Sequence, residues 1–129
     1  MFTEKQTTAE AMLPFYNRLK NAWCKESCSP SLRESWPNGS ITKGQCFVTA
    51  AAVKEVFGGE VYELHITEKE IHYYNMIDGE IVDLSSEQFG EDINSDFYRA
   101  GTPSDLVSKL NDPVKRKRFE TLMNNMKKR

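Results

Sequence analysis

Cys46, His72 and Asp83 are the residues of this chain whose types and order fit a chemical reaction. A thiol, an imidazole and a carboxylate suit nucleophilic catalysis: the thiolate attacks, the imidazole carries the proton, and the carboxylate holds the ring. Cys46 follows Gly44-Gln45 at the start of a stretch that reads as a helix over about 43–57. The unpaired N–H groups and the dipole of such a helix start stabilise a thiolate. The Cys46 amide and the Gln45 side chain are the expected oxyanion donors. A cysteine alone is more often a small buried hydrophobe, so the case depends on what the fold brings beside it.

The strand pattern addresses that question. Three runs rich in β-branched and aromatic residues, 61–67, 70–77 and 80–85, read as strands. Asp78-Gly79 between the second and third is a two-residue hairpin signal. Its register pairs Ile77 with Glu80 and Tyr74 with Asp83, and puts His72 opposite Ser85. His72, Tyr74, Met76, Ile81, Asp83 and Ser85 then share a face. His72 and Asp83 become diagonal neighbours, roughly 7–8 Å apart by Cα. At that spacing the carboxylate fixes the imidazole tautomer and leaves the other ring nitrogen for the thiol. Tyr74 and Trp36 are expected to wall a substrate groove, although both residue types are as often core.

The same pattern raises two difficulties. Tyr62, Leu64, Ile66, Ile71, Tyr73, Ile77, Val82 and Leu84 would form the more apolar sheet face, with His72 on the other. The thiol helix is then expected on the mixed face. In addition, a two-residue turn at Glu68-Lys69 would put His65 opposite His72. His65, His72, Asp83 and Cys46 would then be a rival zinc set, though their spacing matches no strong motif. No metal and no cofactor is expected.

The elements that must position these residues read as α+β. Phe15, Leu19, Ala22 and Trp23 recur at helical spacing, giving a helix over about 13–24 with Pro14 in its first turn. Thr7 with Glu10 forms a capping box further upstream. Residues 27–44 carry Pro30, Pro37, Asn38-Gly39 and Gly44 and read as a long loop, with one helical turn after Ser31. After the strands, Ser85 with Gln88 fits a cap for a short helix. Thr102-Pro103 opens a helix to about 110, and Asp112-Pro113 opens a last one to about 126. The expected order is N-terminal helices, a Cys-bearing central helix, a three-stranded antiparallel meander and C-terminal helices, in a single domain across 1–129.

Bulk properties narrow the function classes. The 129 residues carry a net charge of −2, 39% apolar and 28% charged side chains, an ordinary globular composition. Nothing here favours nucleic acid or membrane as a partner. Lys115, Arg116, Lys117, Arg118, Lys127, Lys128 and Arg129 make the C-terminus locally basic, which usually means a solvated helix face. The N-terminus lacks a basic-then-apolar signal layout, and no run approaches the ~18 apolar residues of a membrane span. A cytoplasmic location is expected, with the three cysteines reduced.

Several stretches carry a family resemblance: Gly44-Gln45-Cys46 with Thr49-Ala50, Phe57-Gly58-Gly59-Glu60, His72-Tyr73-Tyr74-Asn75, and Val82-Asp83-Leu84-Ser85 with Gln88-Phe89. With Trp36 and Arg118-Phe119, they resemble the YunG-like family of small bacterial proteins over most of residues 36–122. More distantly, the order Cys, His, Asp resembles papain-like and transglutaminase-like cysteine enzymes. That resemblance implies Cys46 as nucleophile, His72 as base and Asp83 as orienting acid. The expected activity is a thiol-dependent acyl hydrolase or acyltransferase acting on an amide, thioester or ester. The alternative is a non-catalytic protein on the same scaffold that binds a peptide or small molecule.

Overall fold

The computed structural model describes residues 5–86 and 96–128, and the side chains of 12–86 and 96–127. Among them the chain forms α1 (Lys5–Ala22), α2 (Cys46–Phe57), β1 (Glu60–His65), β2 (Ile71–Ile77), β3 (Glu80–Val82), β4 (Thr102–Pro103), α3 (Leu106–Leu110) and α4 (Pro113–Lys128). The strands make one antiparallel sheet in the order β3-β2-β1-β4. The architecture is α+β, with one strand more than the expected meander.

The α1 stripe is buried as its spacing demands: Phe15, Leu19, Ala22 and Trp23 all sit in the core. Trp23 Nε1 donates to Thr49 Oγ1 of α2 at 2.8 Å, so the polar end of the indole is satisfied inside. The helix begins earlier than expected, by Lys5, and Pro14 lies within it. Proline there removes one intrahelical bond. Burial of Met12, Phe15 and Leu19 around it, at about 1.5–3 kcal/mol per large apolar side chain, offsets that loss. Thr7 falls inside α1, so the expected cap is not at the helix start.

In α2 every residue from Phe47 to Val53 is buried. The small side chains let β2 approach closely enough for Asn75 Nδ2 to donate to the Ala50 carbonyl at 2.9 Å. Gly58 and Gly59 then reverse the chain into β1, both at positive φ. A side chain on Gly59 would lie 2.6 Å from the Met76 carbonyl, so only glycine passes there.

The two hairpins behave differently. Asp78 and Gly79 both have positive φ, the type I′ signature, and Ile77 pairs with Glu80 and Asn75 with Val82 as expected. The first hairpin corrects the two-residue turn. Ile66 N and Thr67 N both donate to the Glu70 carbonyl, and Thr67 Oγ1 accepts from Lys69 N and Glu70 N. The hydroxyl organises a wider turn, and the register moves by one residue: Leu64 faces His72, and His65 faces Ile71. A one-residue slip exchanges faces. Tyr62 and Leu64 therefore lie on the His72 face, not with Tyr73.

The Tyr73 face, with Val61, Asn75 and Ile77, receives α2, which corrects the expectation that the thiol helix covers the His72 face. α1 and α4 pack behind α2. Thr102-Pro103 is a second correction. These residues pair with β1 as an edge strand, where proline is tolerated, and α3 starts only after Asp105, whose Oδ1 accepts from Ser108 N. The Ser85–Gln88 cap extends beyond the described residues.

Candidate active site

The second hairpin brings His72 and Asp83 together. His72 Nε2 stands 2.7 Å from Asp83 Oδ2, both side chains being almost wholly buried. Asp83 is surrounded by further donors. Ser85 N and Ser85 Oγ donate to Oδ1 at 3.2 and 3.4 Å, and Tyr98 Oη donates to Oδ2 at 2.7 Å. Such a cage fixes the carboxylate in place. Burial, then the bond to Asp83, pushes the Tyr98 phenol far above its ordinary range, so Tyr98 remains a donor.

An aromatic wall holds the imidazole. Tyr74 stacks on it with ring centres 6.3 Å apart, and Phe97 meets it edge-on at 6.2 Å. Tyr74 in turn packs against Tyr98 at 4.8 Å. Tyr74 is only 2% exposed. Its expected place in a substrate wall is corrected to a backing for His72. Gly101 passes directly over the Tyr74 hydroxyl, where a Cβ would lie 1.8 Å from it.

Cys46 reaches this pair around the edge of β2. β3 ends at Val82, so no β3 residue stands opposite Ile71. Cys46 Sγ donates to the Ile71 carbonyl there at 3.7 Å. From that edge the thiol also interacts with the neighbouring His72 ring. Burial works against a charged imidazole, but the hydrogen bonds with Asp83 and Cys46 and the charge attraction of both outweigh it. His72 is pushed up to about 9. With Nε2 committed to Asp83, Nδ1 is the ring nitrogen left for the thiol. An imidazolium beside a thiol at a helix start is the arrangement of a reactive cysteine.

Cys46 is half-buried and opens onto a cavity of about 500 Å³ whose lining includes Lys43, Phe47, Lys69, Tyr73, Lys115 and Arg118. Trp36 is not in that lining. Its Nε1 donates to the Ile41 carbonyl at 3.0 Å and its ring packs on the core. Gln45 is also placed differently from the expected oxyanion role. It is fully buried, with Oε1 accepting from Ser27 Oγ at 2.7 Å and Nε2 donating to the Cys24 carbonyl at 2.9 Å. Its amide braces the loop before α2. His65 lies on the opposite face from His72, bonded to Glu63 at 3.2 Å, which removes it from the zinc set. Among the described residues no three His, Cys, Asp or Glu side chains converge on a metal-sized site.

Two site residues were not singled out from the sequence. Tyr98 had no local signal, because only the fold returns it to Asp83. Arg118 did have one. It lies in the basic run but in phase with Leu122 and Met126 at i+4 and i+8, and both of those are buried. A charged residue on the apolar stripe of a helix is the kind of exception that marks a specific contact.

Residues 11–129 match the family described as YunG protein. The chain belongs to the YunG family. The Bacillus subtilis (strain 168) protein titled "Uncharacterized protein YunG" is 37% identical over 71 residues, 55% of this chain and 56% of that relative. The alignment thus spans little more than half of the relative's length. No solved structure matches this YunG-family chain. Among its described residues no helix is long and apolar enough to cross a membrane.

Proposed function

We propose that this YunG-family protein is a thiol-dependent acyl hydrolase or acyltransferase using Cys46, His72 and Asp83 in a papain-like or transglutaminase-like arrangement. The observation that carries this reading is the buried His72 ring, fixed through Nε2 by Asp83 at 2.7 Å and interacting with the half-exposed Cys46 thiol. In this scheme the Cys46 thiolate attacks the acyl carbon, and the backbone N–H groups at the start of α2 receive the oxyanion. The Nδ1 proton of the His72 imidazolium passes to the leaving amine, thiol or alcohol as the C–N, C–S or C–O bond breaks, leaving a thioester on Cys46. Water or an amine then gives its proton to His72, attacks the thioester and releases Cys46. Proton transfer of this kind contributes about 10²–10⁴-fold. Asp83 holds the ring throughout, and Tyr98 and Ser85 hold Asp83. The commitment of Gln45 to the loop leaves the backbone N–H groups as the oxyanion donors.

Thiol chemistry tests the reading. Iodoacetamide alkylation of Cys46, followed by mass spectrometry of its peptide, is expected to stay fast well below pH ~8.5, where an ordinary thiol loses its thiolate. At pH 6.5 only about 1% of such a thiol is ionised, so His72→Ala is expected to slow the reaction by up to about 10²-fold. A native profile matching that of the urea-unfolded chain would sink the proposal. That outcome would favour the other reading, a binding protein that keeps the pocket without the reaction.

A further inference from the structure

We propose that the pocket in front of Cys46 selects an anionic substrate, one whose carboxylate or phosphate group is held by Lys43, Lys69, Lys115 and Arg118. The inference rests on the reading of Cys46 as the reacting group, and adds the substrate class. The four cations come from three separate parts of the chain: the loop before α2, the turn between β1 and β2, and α4. Glu70 is the one carboxylate in the same lining. Four positive charges against one negative on the wall of a single cavity contrast with a chain whose net charge is −2. A concave site of one sign focuses its field and raises the local concentration of the opposite ion.

Exposed lysines alone would mean little; Arg118 changes the weight of the observation. It is 5% exposed, and no carboxylate among the described residues lies within ion-pair distance. Its Nε donates to the Ser27 carbonyl at 3.2 Å and its Nη2 to the Gly44 carbonyl at 3.3 Å. Those carbonyls orient the guanidinium without neutralising it. Its face lies over the Phe47 ring at 6.0 Å, beside the thiol. A buried charge without a counter-ion costs several kcal/mol. A protein that keeps one on the wall of a cavity has placed a fork suited to a planar or tetrahedral anion. Lys43 and Lys69 are exposed and Lys115 half-buried, and among the described residues none forms an ion pair. All three remain available to the same ligand.

Two alkylating reagents of nearly equal size, one neutral and one anionic, measure the pocket directly. Iodoacetate and iodoacetamide both form an S–CH2 bond at Cys46 and release iodide; only iodoacetate is an anion. The ratio of their rates at Cys46, at one pH, cancels the thiolate fraction. We expect the ratio in the native chain to exceed that in the urea-unfolded chain by about 10-fold or more. It should fall with added sodium chloride, and fall again in Lys69→Gln/Lys115→Gln, the ratio cancelling any change these substitutions make in the thiolate fraction. At matched ionic strength, protection by succinate assigns a carboxylate, and protection by inorganic phosphate assigns a phosphate. Equal ratios in native and unfolded chains overturn the proposal. The iodoacetamide pH profile alone decides the catalytic reading, so the two failures are distinguishable.

Discussion

Asp83 and Arg118 are buried charges on two sides of the same thiol, and they are handled in opposite ways. Asp83 is saturated, with donors from His72, Tyr98 and Ser85 on its two oxygens. Arg118 is oriented by two loop carbonyls and meets no carboxylate among the described residues. A saturated charge holds a neighbour in place, and nothing from outside can improve it. An oriented charge with no carboxylate partner retains an attraction for an incoming anion. The difference separates the part of the site built to position His72 from the part built to receive a ligand.

Removing the saturated charge should have the larger effect. Asp83→Asn leaves His72 without its buried partner, and is expected to cost about 3–5 kcal/mol in urea unfolding at pH 6. A loss below 1 kcal/mol would mean that the pair contributes little to positioning. The unmodified chain offers a second measure. His72 has a folded value raised from 6.5 to about 9, so its contribution is complete below the unfolded value and lost as pH rises through the folded one. Stability should therefore decline between about pH 6.5 and 9 by an amount on the order of 3 kcal/mol. In His72→Gln that slope should disappear; a slope that persists would assign it to another group. The smallest effect is expected on the other side of the thiol. Arg118→Met removes two hydrogen bonds to loop carbonyls but also relieves a buried charge, and Gly44 O keeps its bond from Ser29 N. A cost of about 1 kcal/mol in the same unfolding assay is expected. A cost as large as that of Asp83→Asn would make Arg118 a structural brace and abolish the contrast.

Both sides of this contrast differ in how far the sequence revealed them. The Asp78-Gly79 turn fixes its own hairpin by backbone chemistry, and period two then puts His72 diagonal to Asp83; no other part of the protein is needed. The Phe15, Leu19, Ala22 and Trp23 stripe was legible for the same local reason. The turn after Ile66 was not, because a threonine hydroxyl bonding two backbone N–H groups widened it by one residue. That single step moved His65 off the His72 face and placed Tyr62 and Leu64 there.

What remained depended on segments distant in sequence. Tyr98 reaches Asp83 across 15 residues, and Arg118 reaches Ser27 across 91 and Gly44 across 74. Gln45 gives up an open role because Cys24 and Ser27 fold over it. Sequence by itself determined the residue types, the helix that starts at the thiol and the strand pair behind the imidazole, since turn geometry and side-chain period are properties of adjacent residues. Tertiary structure alone decided which sheet face α2 covers, what cages the acid and which charge lines the pocket. Those contacts are set by how preformed elements pack, and packing is not a property of any one of them.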